Sequence, residues 1–139
     1  MNEQELAEKS VRAMLKKDGF SSWLGIELVE IKPGKAVIKM VVRKEMLNGF
    51  DVCHGGILFS FADSAFAFAS NTGGRISLSI ENNITYIRPV HVGDILTAVA
   101  EEVSNGNKLA SYDVTVLKED GIKVSLFRGL VYRTKNFIE

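Results

Sequence analysis

The spacing of apolar residues along the 139-residue chain predicts two helices and six strands. Apolar residues recur at helical spacing over residues 3–17, where Asp18 and Gly19 form a stop signal. A nearly continuous apolar run predicts a longer helix over residues 56–71, ended by two glycines. The rest has the periodicity and turn residues of strands, at 25–32, 35–43, 76–88, 94–103, 108–117 and 122–133. We expect an α+β protein with a single domain, residues 1–139.

The long predicted helix is apolar on almost its whole circumference. A helix of this kind is covered on nearly every side in a folded protein. The predicted strands in turn need an apolar surface to pack against, and no other element is long enough to supply it. We therefore expect a curved antiparallel sheet wrapped round one long central helix, plus a short N-terminal helix. The remaining uncovered face of the central helix should meet a partner subunit.

Asp63 is the only charged residue between Asp51 and Arg75, and it interrupts the apolar run. An unpaired carboxylate is costly to bury, so such a residue is rarely present for stability alone. The alternative is that Asp63 lies on an exposed, small and polar stripe of the helix. That stripe would contain Gly56, Ser60, Asp63, Ala67 and Ser70. The helix alone leaves both interpretations open.

The segment from His54 to Gly56 opens the predicted helix. The first amides of a helix have no internal acceptors and carry the positive end of the helix dipole. Two glycines allow an oxygen atom to approach this backbone closely. The segment is therefore suited to be an oxyanion hole for a carbonyl group that gains negative charge during a reaction. An ordinary glycine turn is the alternative.

The spacing between Gly55 and Asp63 has a consequence for assembly. Eight residues separate them, which places them about 12 Å apart along one helix. An oxyanion donor and a catalytic carboxylate must both reach the same carbonyl group, at about 3 Å each. Two antiparallel copies of the helix around a two-fold axis meet this requirement. If both residues are catalytic, we expect a homodimer with two active sites at its interface.

Neighbouring polar residues allow several roles. Asn48 either positions a water molecule or the substrate carbonyl, or forms a turn with the glycine that follows it. His54 either fixes the loop or takes part in proton transfer. A nucleophilic pair of Cys53 and His54 is disfavoured, because neighbours in sequence seldom face each other and no third orienting group is evident. Asp51, Cys53 and His54 fit no standard zinc spacing, so we expect no metal site.

Composition excludes several classes of protein. The 17 basic and 17 acidic side chains balance, which argues against a nucleic-acid-binding protein. The single cysteine indicates a reducing compartment. No secretory signal is evident, and the longest apolar stretch is too short to cross a bilayer. We expect a cytoplasmic protein without membrane or nucleic-acid partners. The nucleophile elbow, phosphate-binding loop and dinucleotide fingerprint are all missing.

The segment from Leu47 to Ala67, LNGFDVCHGGILFSFADSAFA, closely resembles the phenylacetate-degradation (PaaI-type) thioesterases of the hot-dog superfamily. Later segments agree with this resemblance: YIRP at 86–89, GD at 93–94 and LFRG at 126–129. The resemblance implies a hot-dog fold and the hydrolysis of acyl-CoA thioesters. It also implies a homotetramer made of two dimers. The CoA belongs to the substrate, so no cofactor is expected.

The resemblance also implies roles for individual residues. Asp63 matches the catalytic carboxylate, which acts as general base or nucleophile. Gly55 matches the oxyanion amide, Asn48 the loop amide that positions thioester or water, and His54 its neighbour. Gly56 is then expected to contact the substrate.

Further residues are implied in substrate binding. Ser79 matches a serine that assists water in some relatives. The CoA nucleotide is expected near the hairpin turn formed by Ser104, Asn105, Gly106, Asn107 and Lys108. Its phosphates could be met by Asn107, Lys108, Arg133 and Lys135, although solvated surface charge is an equally good interpretation.

The acyl group and two rival functions remain open. The resemblance implies phenylacetyl- or hydroxyphenylacetyl-type groups, and Phe59 or Phe66 either shapes an aryl pocket or belongs to the core. Other short to medium acyl groups are alternatives. The rivals are a hydroxyacyl- or enoyl-thioester dehydratase and a non-catalytic acyl-CoA-binding protein. Asn48 with His54 to Gly56 ahead of Asp63 favours hydrolysis over the dehydratase. The N-terminal stretch, too short for a DNA-binding helical domain, and the presence of Asp63 and Asn48 disfavour the non-catalytic protein.

Overall fold

The computed structural model describes all 139 residues and has the predicted α+β architecture. Its helices are α1 (Glu3–Lys17), α2 (Gly19–Leu24) and α3 (Gly55–Ser70), and one 3₁₀ turn spans Lys44–Met46. Its strands are β1 (Glu27–Lys32), β2 (Lys35–Val41), β3 (Arg75–Tyr86), β4 (Ile95–Asn105), β5 (Leu109–Lys118) and β6 (Lys123–Phe137).

Helix α2 was not predicted, because Asp18 and Gly19 were interpreted only as the end of α1. The structure shows that Asp18 also begins the next helix. Its carboxylate accepts hydrogen bonds from the backbone N–H of Ser21 at 2.9 Å and from the Ser21 hydroxyl at 2.6 Å. An aspartate that accepts from the third residue after it is an N-cap, so one residue ends α1 and starts α2.

The six strands form one antiparallel sheet in the order β1-β2-β4-β5-β6-β3. Helix α3 packs against every strand except β1, so the sheet wraps around it. This confirms the predicted hot-dog arrangement. Strand β3 lies at one edge of the sheet and pairs only with β6. Its other edge therefore presents free backbone donors and acceptors.

Most of α3 is buried, as its composition predicts. Its three fully buried phenylalanines are Phe61, Phe66 and Phe68. The polar stripe is only partly covered, because Ser60, Asp63 and Ala67 are half-buried and Gly56 is exposed. Ser70, predicted to share that stripe, is buried instead and donates its hydroxyl to the backbone of Ala67. Asp63 thus lies on the one face of α3 that the sheet leaves open.

Gly129 of β6 allows α3 to lie close to the sheet. A Cβ atom at this position would lie 2.6 Å from Cζ of the Phe66 ring. Real carbon atoms do not approach so closely, so the ring occupies the space that any larger residue would need. Phe66 is one turn after Asp63, and the close approach therefore also fixes the height of Asp63 above the sheet.

None of the three helices is both long enough and apolar enough to span a membrane.

Candidate active site

Asp63 projects from the middle of α3 towards β3. Its Oδ1 atom accepts a hydrogen bond from Nδ2 of Asn82 at 3.4 Å. Burial raises the pKa of the Asp63 carboxyl, and the negative charge of Asp18 raises it further. The carboxylate has no cationic partner. A carboxylate with a raised pKa and no ion pair is a stronger base than an ordinary surface aspartate.

The start of α3 leaves one backbone amide free. His54 is the N-cap, and its Nδ1 atom accepts a hydrogen bond from the N–H of Gly56 at 2.9 Å. The N–H of Gly55 has no acceptor in the chain. The amide of Gly56, a residue predicted to contact the substrate, is therefore occupied. His54 fixes the loop before α3, which was one of the two roles considered for it. Gly55 alone keeps an amide that can bind an oxyanion.

Tyr86 of β3 holds the start of α3 in place. Its hydroxyl donates to the carbonyl oxygen of Gly55 at 2.8 Å. A Cβ atom on Gly55 would lie 3.1 Å from the tyrosine ring, so only glycine fits without displacing it. An open cleft of about 360 Å³ adjoins this point and is lined mainly by apolar residues, among them Val52, Leu58 and Pro89. The free amide thus borders a cleft that can hold part of a ligand.

Asn48 uses one half of its side-chain amide to shape the loop before α3. Its Oδ1 accepts from the N–H groups of Phe50, at 2.9 Å, and Val52, at 3.3 Å. This is an Asx-type turn. Because its oxygen is occupied, the side chain of Asn48 can act on a ligand only as a donor, through Nδ2. The turn-forming role and the carbonyl-binding role therefore use different atoms and are compatible.

Cys53 does not have the properties of a nucleophile. Burial raises the pKa of its thiol to about 11, and the charge of Asp94 adds to the effect. The thiolate, which is the reactive form, is therefore scarce at neutral pH. The thiol donates to the backbone carbonyl oxygen of His54 at 3.7 Å, whereas the imidazole Nδ1 of His54 caps the helix and does not contact the thiol. No three His, Cys, Asp or Glu side chains lie close enough to hold a metal ion.

Four of the seven residues predicted to lie at the CoA nucleotide line a single cleft of about 600 Å³. They are Asn105, Gly106, Asn107 and Arg133. Ser104, Lys108 and Lys135 lie outside it, and the hydroxyl of Ser104 accepts from Ser111 at 3.2 Å.

Arg75, which was not predicted from the sequence, joins Arg133 in this cleft. Arg133 donates to the side-chain oxygen of Asn105 and, at 3.2 Å, to the hydroxyl of Tyr112. Arg75 donates to the side-chain oxygen of Asn107 at 3.4 Å. Neither guanidinium forms an ion pair. Glu3 and Glu102 also line the cleft but pair with neither arginine, so both guanidiniums stay available to an anionic ligand.

Ser79 is linked to Asp63 by hydrogen bonds through one intermediate residue, Asn82. Its hydroxyl donates to Oδ1 of Asn82 at 2.9 Å, and Asn82 contacts Asp63. Asn82 and Tyr86 are polar contacts of α3 that sequence reasoning missed. In the sequence both are ordinary polar residues of a strand, and only the fold brings them to the helix.

A single chain does not bring Gly55 and Asp63 together. Both lie on the same continuous helix, α3, so about 12 Å separates them along its axis. The cleft next to Gly55 does not include Asp63. Within one chain, Gly55 and Asp63 therefore do not border a common cleft.

Comparison with known proteins agrees with these features. The family model of the Thioesterase superfamily matches residues 50–125. The acyl-coenzyme A thioesterase PaaI of Escherichia coli is 39% identical over 127 residues, which cover 91% of each chain. Human acyl-coenzyme A thioesterase 13 is 34% identical over 110 residues, 76% of this chain and 79% of the relative.

A solved structure extends the likeness to three dimensions. The structure of the Escherichia coli PaaI protein, from the phenylacetic acid degradation operon, superposes with a TM-score of 0.96 at 36% identity. The match covers 99% of this chain and all of the other. The chain therefore belongs to the thioesterase superfamily, and its class of enzyme is thioester hydrolase.

Proposed function

We propose that the chain hydrolyses acyl-CoA thioesters to the free acid and CoA. The observation that carries the proposal is the make-up of α3. The helix has an amide without an acceptor at its first residue, Gly55, and an unpaired, half-buried carboxylate at Asp63. These are the two groups that acyl transfer requires: a donor for the developing oxyanion and a base or nucleophile.

Each group has a distinct role in the proposed reaction. The N–H of Gly55 binds the carbonyl oxygen as negative charge develops on it. Nδ2 of Asn48 is a second donor for that oxygen or for water. Asp63 either takes a proton from the water that attacks the carbonyl carbon or attacks that carbon itself. In both cases the C–S bond breaks, the CoA thiolate leaves and water supplies the new acid oxygen.

The complete site requires two chains. We propose that two copies pair around a two-fold axis through the free edge of β3, so that α3 of each copy lies antiparallel to the other. Leu78 and Ile80 of β3 are 55% and 56% exposed in the single chain. An edge strand with exposed apolar side chains favours pairing with a second chain. Gly55 of one copy then lies beside Asp63 of the other, and two such dimers would form the homotetramer that the resemblance implies.

The cleft that contains Arg75 and Arg133 supports CoA as the carrier of the acyl group. Its two guanidiniums donate only to neutral acceptors, which are the side chains of Asn105, Asn107 and Tyr112 and the backbone carbonyl oxygens of Ser70, Arg133 and Thr134. Exchange of these neutral partners for phosphate oxygens would strengthen both sets of hydrogen bonds. We propose that the cleft binds a phosphate of the CoA nucleotide.

We propose an aryl acyl group of the phenylacetyl or hydroxyphenylacetyl type. The support is the similarity to the Escherichia coli PaaI protein, which comes from the phenylacetic acid degradation operon. Phe66 is buried against Tyr112 and Phe127 and serves the core. Phe59 is half-buried and packs edge-on against Phe127, which leaves it as the aromatic residue of α3 that could border an acyl pocket.

The test is thiol release from a panel of aryl, short-chain and long-chain acyl-CoAs. We expect turnover by the wild type, fastest with aryl substrates. Asp63→Asn should remove it, by at least a hundredfold, because the replacement amide is neither base nor nucleophile. Asp113→Asn, which changes an exposed carboxylate paired with Arg128, is the matched control and should keep full activity. A wild type inactive on the whole panel, or an active Asp63→Asn, would contradict the proposal.

A further inference from the structure

Asn82 stands between Asp63 and Ser79 with a defined orientation. A carboxylate can only accept hydrogen bonds, so the amide nitrogen of Asn82 must face Asp63. Its Nδ2 lies 3.4 Å from Oδ1 of Asp63. The carbonyl oxygen of the same amide then points away and accepts the hydroxyl proton of Ser79 at 2.9 Å. The two contacts agree on one orientation of the amide.

An irregularity in β3 brings Ser79 and Asn82 to the same face of the strand. Residues three apart on a regular strand point to opposite faces. Here Ser79 pairs with Val131 and Glu81 with Leu130, so Ile80 is an extra residue that forms a β-bulge. One extra residue shifts the alternation of side chains by one position. The bulge thus places Ser79 and Asn82 side by side.

The sheet is built for a close approach of α3 at this point. Asn82 is paired with Gly129 of β6. Gly129 is where the Phe66 ring lies against the strand, in space that a Cβ atom would occupy. Because Phe66 follows Asp63 by one helical turn, the same close approach brings Asp63 within reach of Asn82.

We propose that Asn82 is a positioning residue for Asp63 in the thioester hydrolysis proposed above. It holds Oδ1 of Asp63 and so leaves Oδ2, which has no hydrogen bond in the chain, to act on water or on the thioester. It also engages the hydroxyl proton of Ser79, so that the oxygen of Ser79 is available to accept a hydrogen bond from water. The inference rests on the proposed function, and its tests separate the two.

The charges around Asp63 set the direction of the expected effect. Asp18, at the junction of α1 and α2, is the charged group of the chain whose field acts on the Asp63 carboxyl, and it opposes ionisation together with burial. From β3 the residues that face it are the neutral Asn82 and Ser79. A donor to the carboxylate favours its ionised form. Loss of the Asn82 amide should therefore raise the pH at which Asp63 gains its proton.

The experiment measures the pH dependence of kcat/KM for the wild type, Asn82→Ala and Asn82→Asp. For Asn82→Ala we expect a roughly five- to twentyfold loss of kcat, little change in KM, and an acid limb that moves up by about half to one pH unit. Asn82→Asp keeps the shape but puts a second carboxylate beside the first, and its acid limb should move further in the same direction. This isosteric variant also serves if Asn82→Ala fails to fold.

Asn83→Ala is the matched control, because Asn83 is the same residue type on the same strand but exposed on the opposite face. We expect its profile to match that of the wild type. An active wild type whose acid limb stays in place in both Asn82 variants would overturn the role of Asn82 alone. So would an Asn83→Ala variant that shifts as much as Asn82→Ala. A wild type without turnover on any acyl-CoA would instead overturn the proposed function, and the catalytic role of Asn82 with it.

Discussion

At the scale of single residues, Gly55 meets two demands at once. Its missing side chain leaves room for the Tyr86 ring, and its N–H is the free amide at the start of α3. The two demands can be separated by substitution. His54 has φ −61° and ψ 135°, which is the conformation that a following proline requires, and the first position of a helix accepts proline well.

We expect Gly55→Pro to lower kcat by about a hundred- to a thousandfold, because it removes the proposed oxyanion donor. Gly55→Ala introduces a Cβ with the same contact to Tyr86, at 3.1 Å, but keeps the N–H. It should therefore retain most of the activity lost in the proline variant. Steady-state kinetics of both variants with one acyl-CoA measures the difference. Equal losses in the two would mean that the amide has no role and that only the steric contact matters.

Cys53 offers a prediction about stability and pH. Its thiol has a pKa of about 11 in the folded chain, against about 8.5 for a free cysteine. Between about pH 8.5 and pH 11, the Cys53 thiol therefore keeps its proton in the folded state and loses it in the unfolded state. The resulting stabilisation is complete below about pH 8.5 and is lost as pH rises towards 11.

Urea unfolding of the wild type and of Cys53→Ala, from pH 8 to pH 11, checks this sign. We expect the free energy of unfolding of the wild type to fall more steeply with pH than that of Cys53→Ala. The packing lost in the variant adds a constant difference that does not depend on pH. Cys53→Ala should also remain an active enzyme. Parallel pH curves for the two proteins would show that the thiol titrates normally.

The sequence was sufficient to predict some residues of the site and not others. Asp63 was evident because a charge within an apolar helix stands out, and Gly55 because a helix start has free amides. Asn82 was missed because its contact with Asp63 depends on the bulge at Ile80. The bulge reverses the alternation of side chains along β3, and the pattern of apolar and polar residues does not predict it. Tyr86 was missed because a tyrosine in a strand is ordinary until the fold brings it to a helix end.

At the scale of elements, the fit between α3 and the sheet decides where Asp63 lies. The backbone of Gly129 does not have a positive φ, so its conformation does not require glycine. The requirement comes from the steric contact with the Phe66 ring. Prediction from sequence worked for α3 itself, because its apolar composition is strong. It failed for α2, because the residue that ends α1 is also the cap of the next helix.

We expect Gly129→Ala to destabilise the fold by about 1–3 kcal/mol, since the added methyl group overlaps the Phe66 ring. Thermal unfolding measures the loss, and kcat should fall as well because α3 moves away from Asn82. Phe66→Leu in the same chain should restore part of the stability. Gly19→Ala is the control, because a Cβ there meets nothing within 4 Å. Full stability of Gly129→Ala would show that the close approach is not needed.

At the scale of the whole molecule, the single chain keeps Gly55 and Asp63, the two residues of the proposed site, apart on one helix. The fold was predictable because one apolar helix and a set of alternating strands have few arrangements that cover both. The proposal of a second chain also comes from the sequence, because it follows from the rise of a helix and the number of residues between Gly55 and Asp63, and it stays a prediction. The exact pairing of the two copies is not encoded in any local pattern, because it depends on the whole surface around the free edge of β3.

The most direct test of a shared site mixes two inactive variants, Asp63→Asn and Gly55→Pro, by co-expression in equal amounts. If each site takes Asp63 from one chain and the Gly55 amide from its partner, about a quarter of all sites in random mixtures combine two intact halves. We then expect about a quarter of the wild-type kcat per site, although each variant alone is inactive. If both groups act within one chain, no mixture contains an intact site. Activity that stays at the level of the separate variants, in mixtures shown to contain both chains in one assembly, would contradict the account.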